Sequence, residues 1–160
     1  MTVRIQTEDF DLGAETLALR AANPAVGALA CFVGTVRDIN IGSVVSGMVL
    51  EHYPGMTEQS IETIIDAAKA RWKVIDALVI HRVGALAPTD QIVLVAVTSS
   101  HRGDAFNACE FIMDYLKTAA PFWKKERTVD GERWVDARET DDAALARWGV
   151  RSTNATPPTD

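Results

Sequence analysis

The chain has few of the devices that small or unusual proteins depend on. Only two cysteines occur in its 160 residues, Cys31 and Cys109, each inside an apolar stretch and neither in a CxxC pair or a zinc-ligand spacing. Both are expected to be reduced, buried thiols, so any sulfur or metal chemistry would not run on the protein's own cysteines. No apolar run approaches the roughly 18 residues needed to span a bilayer, and the first ten residues lack an apolar signal core. A cytoplasmic protein with no membrane partner is expected. A basic excess is missing too: 16 Lys+Arg stand against 22 Asp+Glu, a net charge of −6, with no aromatic-basic repeat, so nucleic acid is not an expected partner. HExxH, GxGxxG, Walker and nucleophile-elbow patterns are all absent.

What remains is an ordinary globular composition. With 48% hydrophobic and 24% charged residues the chain is not disordered. At this length a single domain buries about two thirds of its unfolded surface without a disulfide or metal. No internal repeat is visible, and one domain is expected over residues 1–151. The polar, proline-bearing stretch from Ser152 to Asp160 reads as a flexible tail.

The apolar spacing gives a coarse fold. Val3–Gln6 suits a short strand and Asp11–Ala22 a weakly patterned helix; the near-continuous apolar run Gly27–Val36 reads as a buried strand. A loop over Asp38–Ser46 returns into a second strand, Gly47–Tyr53. Thr57 is a candidate N-cap for a helix whose stripe is Ile61, Ile64, Ile65, Ala68 and Trp72. Ile75–Val83 and Gln91–Ser99 form an expected antiparallel pair joined through Ala87–Asp90. A second helix spans Asp104–Ala119, with Ala105, Ala108, Cys109, Ile112, Leu116 and Ala119 on one face, and Pro121 stops it. Phe122–Thr128 and Arg133–Ala137 pair around Asp130-Gly131. Hairpins on either side of the long first helix favour α+β, helices packed on a mainly antiparallel sheet, over a doubly wound parallel fold.

Polar residues that solvation alone does not explain gather in two places. The strand over 27–36 runs into Thr35-Val36-Arg37-Asp38, a guanidinium where a buried strand surfaces, although Arg37 alone is equally an ordinary surface arginine paired with Asp38. The second place begins at Ser99-Ser100-His101-Arg102-Gly103-Asp104, where a strand hands over to a helix. Free amides and the positive end of the macrodipole favour an anion there, with His101 and Arg102 as added donors. The plainer reading makes Asp104 the cap and leaves His101-Arg102 in a solvated turn. Lys117 sits in the last turn of that helix, where the dipole favours any lysine. Beyond Pro121, strand alternation puts Lys124 on a face with Phe122 and Glu126, and Lys125 on the other with Trp123, one lysine toward a pocket and its neighbour toward water. Beside aromatic rings and away from bulk water, an ammonium releases its proton more readily, which suits acid–base work. Residues 101–138 hold seven basic and seven acidic side chains, so a basic pocket needs convergence in space. An anionic small-molecule site is favoured, its ligand open. His52 suits a cavity wall or a structural role, and His81, mid-strand beside Arg82, reads as structural.

Five segments in order, Cys31-Phe-Val-Gly-Thr-Val-Arg37, Leu50-Glu-His-Tyr-Pro-Gly-Met56, Ile80-His-Arg-Val-Gly84, Ser99-Ser-His-Arg102 and Leu116-Lys-Thr-Ala-Ala-Pro-Phe-Trp-Lys-Lys-Glu126, resemble the large, catalytic subunit family of molybdopterin synthase. The likeness runs from about Thr2 to Arg138. It implies an α/β hammerhead fold and a sulfurtransferase of molybdenum cofactor biosynthesis, working as a homodimer within a heterotetramer. Each end of that dimer would bind a small ubiquitin-like sulfur carrier, whose C-terminal Gly-Gly tail ends as a thiocarboxylate. The implied substrate is cyclic pyranopterin monophosphate, which receives two sulfurs to form the dithiolene of molybdopterin; no metal or other cofactor is implied.

By motif position, Arg37, His101, Arg102, Lys117 and Lys124 become the anion and pterin pocket, with Thr35, Val36, Lys125 and Glu126 flanking it. Lys117 is the implied main catalytic residue and Lys124 the second. Arg138, in Trp134-Val-Asp-Ala-Arg138, matches a family arginine that reaches the other protomer's site. Ala119-Ala120 departs from the basic residue that relatives carry before the proline. A noncatalytic dimeric module binding a phosphorylated metabolite would present the same basic residues. It would lose only affinity on Lys117→Ala, whereas the synthase would lose turnover.

Overall fold

The computed structural model describes residues 3–40, 42–135 and 139–149, apart from the side chains of 43 and 139–141. Arg138 and the expected tail over 152–160 lie outside the described residues. Nine strands and four helices follow in the order β1 (Val3–Gln6), α1 (Leu12–Ala21), β2 (Ala28–Thr35), β3 (Ile39–Asn40), β4 (Ser43–His52), α2 (Met56–Arg71), β5 (Val74–Arg82), β6 (Gly84–Leu86), β7 (Gln91–Ser99), α3 (Arg102–Thr118), β8 (Phe122–Thr128), β9 (Gly131–Val135) and α4 (Glu139–Ala146) among these residues.

One sheet has the order β1-β5-β7-β2, with β1 parallel to β5 and the other pairs antiparallel. The second has the order β3-β4-β8-β9, and β6 adds to β4. This is the α+β, mainly antiparallel architecture that the sequence implied. Both faces of the first sheet are covered, which is why β5 and β7 are apolar at successive positions rather than at alternate ones. Leu78, Ile80, Leu94 and Ala96 pack with Phe10 and α1 on one side. Ala77, Val79, Val93, Val95 and Val97 meet the buried stripes of α2 and α3 on the other. Ile61, Ile64, Ile65 and Ala68 are buried as their spacing requires, as are Ala105, Ala108, Cys109, Ile112 and Leu116.

Three local expectations are corrected, and one helix is new. Gly55, not Thr57, stands at the N-cap of α2, with φ +83°, a conformation glycine adopts without strain. Thr57 is instead a buried bridge: its hydroxyl accepts from the Tyr53 amide at 3.1 Å and donates to the Pro121 carbonyl at 3.0 Å. Asp104 does not cap α3 either; its carboxylate accepts from the Lys73 amide at 3.0 Å and His101 holds the cap position. The loop expected over 38–46 carries β3, and β4 begins at Ser43, because Val45 pairs with Thr128 on β8 and extends the sheet. The new helix, α4, lies against α3 with Leu145 fully buried, and Trp148 in the turn just beyond it meets Phe111 and Trp72 edge-on. The apolar residues of α4 are three alanines and one leucine in four successive positions, which gives no helical stripe to read.

Candidate active site

Chain direction positions the first part of the site. Ala28 of β2 lies opposite Ser99 of β7, and Thr35 lies near Gln91. Because α3 starts just past Ser99, it returns over the sheet alongside β2. Its C-terminal turn with Lys117 therefore comes to the end of the sheet where Thr35-Val36-Arg37 emerges. Between β2 and α3 lies an open cavity of about 640 Å3, walled by Cys31, Phe32, Phe106, Met113 and Lys117. Pockets for small organic ligands commonly span about 300–1,000 Å3. Phe106 is 63% exposed and Phe32 41%, so large apolar surface stands in water at this opening. The acidic members of the wall are held from behind: Asp114 accepts from Trp148 Nε1 at 2.7 Å and Arg147 Nη2 at 3.2 Å, and Glu110 pairs with the same guanidinium.

The second part lies where the five-stranded sheet meets this end. Val36 is buried with Met48, Leu50 and Leu86, which anchors the chain just before Arg37. Glu126, only 1% exposed, collects the neighbouring cations. Its Oε1 accepts from Asn40 Nδ2 at 2.5 Å and lies 3.5 Å from Lys124 Nζ, while Oε2 lies 3.5 Å from Arg133 Nη2. Arg37 joins through Asn40, whose Oδ1 accepts from Nη2 at 3.4 Å. Two cations and an amide on one buried carboxylate, with a further guanidinium through the amide, leave an excess of positive charge suited to an anion. Lys124 and Glu126 share a face of β8, as the alternation required. Lys125 differs from its expectation: it does not turn to water but lies 4.6 Å over the Trp134 ring, with 21% of its side chain exposed against 34% for Lys124.

Three further side chains tune the surroundings. His81 is buried against Phe122, ring centroids 3.8 Å apart, with Nδ1 2.8 Å from the Arg82 carbonyl. Burial pushes its pKa down to about 4, and the positive fields of Lys117 and His52 add to this, so a neutral ring faces Lys117 near neutrality. The cysteines part company: Cys109 is buried, its thiol pushed up to about 12 chiefly by burial, whereas Cys31 is exposed on the cavity wall, against the expectation that both are buried. The edge position of β2 explains this, since no strand covers its outer side among the described residues.

The sequence profile of the family described as "MoaE protein" matches residues 5–119. The chain belongs to the MoaE family. A relative from Ralstonia nicotianae, named molybdopterin synthase catalytic subunit, is 68% identical over 158 residues, covering 99% of this chain and 90% of its own length. Among solved structures, the molybdopterin biosynthesis MoaE protein from Burkholderia ambifaria is 69% identical with a TM-score of 0.81, covering 94% of this chain and 99% of that one. Molybdopterin synthase from Staphylococcus aureus is 31% identical with a TM-score of 0.76, covering 84% and 97%.

Within this MoaE-family chain, Thr35, Val36, Arg37, Lys117, Lys124, Lys125 and Glu126 lie at one end of the molecule. His101 and Arg102 do not join them. Both are exposed at the N-terminus of α3, and Arg102 lies fifteen residues from Lys117 along one helix, about 22 Å at 1.5 Å per residue. Sequence reasoning also missed Asn40 and Arg133. Asn40 falls in a stretch that reads as loop, since a two-residue strand leaves no pattern. Arg133 was legible only with the hairpin register, which places it opposite Glu126. That register follows from a turn at Val129-Asp130 with Gly131 already in β9 at φ +112°. No group of three or more metal-binding side chains, and no helix long and apolar enough to cross a membrane, occurs among the described residues.

Proposed function

We propose that this chain is the sulfur-transferring, catalytic subunit of a molybdopterin synthase. Its sulfur arrives as the C-terminal thiocarboxylate of a small ubiquitin-like carrier, whose extended Gly-Gly end enters the cavity beside Lys117. The acceptor is cyclic pyranopterin monophosphate, and two successive transfers build the dithiolene while the cyclic phosphate opens. The working unit is one domain over 1–151, acting in the cytoplasm as a homodimer that binds one carrier at each end.

The observation that supports this reading best is the end-to-end likeness to catalytic subunits of this enzyme, in a chain whose Lys117 edges an open, largely apolar cavity. Arg37 holds the phosphate by paired, charge-assisted hydrogen bonds and offsets its charge. Lys117 supplies a proton or stabilises the oxyanion that develops as thiocarboxylate sulfur attacks an electrophilic pterin carbon; water then cleaves the acyl C–S bond of the resulting thioester, leaving sulfur on the pterin and the carrier with a carboxylate end. Lys124, tethered by Glu126, positions the substrate and exchanges protons. Thr35, Val36 and Lys125 shape the wall. His101 and Arg102, too far from Lys117 in their own chain, enter the pocket of the second copy, and Arg138 is assigned to the same crossing. The carrier's extended tail is held by backbone hydrogen bonds, and its glycines let it lie close against the wall. The noncatalytic reading has no support from the relatives named above.

The test is reconstitution. Purified chain with a verified thiocarboxylated carrier and the cyclic pterin yields the dithiolene product, and either component alone yields none. Lys117→Ala keeps carrier and pterin bound but loses turnover. Wild-type protein that binds both and forms no product would overturn the reading.

A further inference from the structure

The five-stranded sheet holds a residue that reaches both Arg37 and the cations around Glu126. Asn40 ends the two-residue strand β3, opposite Ser43 of β4, and is 6% exposed. Its amide must meet two unlike neighbours. Nδ2 donates to Glu126 Oε1 at 2.5 Å, and Oδ1 accepts from Arg37 Nη2 at 3.4 Å. Its backbone carbonyl accepts from Arg133 Nη2 at 3.0 Å. A carboxamide suits this place because its two ends differ, one offering a donor to the carboxylate and the other an acceptor to the guanidinium.

We infer that Asn40 is a positioning residue of the transfer reaction, joining Arg37 to the Lys124–Glu126–Arg133 cluster and holding Lys124 off a close ion pair. The inference rests on the synthase reading for the role of Lys124, but its geometry is independent of it. With Nδ2 on Oε1 at 2.5 Å, that oxygen is engaged, and Lys124 Nζ stands back at 3.5 Å with 34% of its side chain exposed. Glu126 Oε2 has no hydrogen-bond partner among the described residues, only the Arg133 guanidinium at 3.5 Å. This buried carboxylate thus has capacity in hand and would draw Lys124 inward once the amide is gone. Arg37, exposed apart from this contact, would lose its aim at the same time.

The experiment compares Asn40→Ala with Asn40→Asp in the full chain with thiocarboxylated carrier. In folded Asn40→Ala, kcat/KM for the pterin is expected to fall about 10- to 100-fold, the cost of a small misplacement, with KM raised through Arg37 and kcat lowered through Lys124. Asn40→Asp sets a second carboxylate against Glu126, with Lys124, Arg133 and Arg37 as the surrounding charges. Its activity relative to wild type at the same pH should be poor at pH 8 and recover toward pH 6, as a proton shared between the carboxylates rebuilds the lost donor. The Asn40→Ala ratio should stay level. Inorganic phosphate titrated by NMR gives a readout without turnover, and its affinity should fall in both variants at pH 8. A purely structural role would lower melting temperature and yield with no pH-dependent recovery. Folded Asn40→Ala with wild-type kcat, KM and phosphate affinity, or Asn40→Asp with a level pH ratio, would overturn the inference. Inactive wild type with intact phosphate binding would instead count against the synthase reading alone.

Discussion

A mixture of two disabled variants provides the sharpest check on how the pocket is assembled. Lys117 and Arg102 are held at opposite ends of one 17-residue helix, about 22 Å apart, farther than any side chain reaches across. If both serve one reaction, they come from different copies. Take Lys117→Ala and Arg102→Ala, each nearly inactive as a homodimer, and let subunits exchange. Random pairing makes about half of the dimers mixed, and in each of these one pocket has both mutations while the other has neither, so activity returns to about a quarter of wild type. The assay is dithiolene formation with saturating thiocarboxylated carrier, with exchange verified by mass spectrometry of differently tagged subunits. Verified exchange with no recovery would refute the shared pocket and leave the α3 N-terminus as a separate anion contact.

Three other outcomes follow from the same structure. His81 titrates near 6.5 in the unfolded chain but at about 4 in the fold, so stability is full above pH 6.5, falls by about 1.4 kcal/mol per pH unit as acid charges the unfolded state, and is lower by about 3 kcal/mol at pH 4. Urea unfolding of His81→Asn should lack that segment of the slope, and equal slopes for the two proteins would be inconsistent with a buried neutral ring. In Gly27→Ala the new Cβ would stand 2.3 Å from the Ser100 carbonyl oxygen, so the backbone before His101-Arg102 must shift; a loss of about 1–3 kcal/mol and weaker pterin binding are expected, and an unchanged Tm would argue against the close approach. Replacing Cys31 and Cys109 together by alanine should preserve turnover in folded protein, because the reacting sulfur is brought by the carrier, whereas a bulky maleimide on Cys31 of wild type should block the cavity. Loss of turnover in the folded double variant would make the sulfur route wrong.

The hydrophobic periodicity located the main elements because each buries a regular face. Ile61, Ile64, Ile65 and Ala68 could only be the inner stripe of a helix, and the apolar runs 27–36 and 91–99 only strands, of which 91–99 is covered on both sides while 27–36 leaves Cys31 and Phe32 exposed. Pairing by local alternation also set Lys124 beside Glu126. The segments that the periodicity does not locate lack such a face: β3 has two residues, and α4 has its four apolar residues in succession behind a polar half. Lys125 was misplaced for a different reason, since the ring that covers it, Trp134, arrives from the neighbouring strand.

The amino-acid order by itself determined which residues carry chemistry, because motif identity and side-chain type are local properties. Tertiary structure alone decided which of them meet. The return of α3 alongside β2 delivers Lys117 to the Arg37 end and leaves His101 and Arg102 a helix length away, and the β8–β9 register sets Arg133 against Glu126. Those distances are fixed by strand order and helix direction, which depend on contacts between residues far apart in the chain and so leave no mark in any short stretch of it.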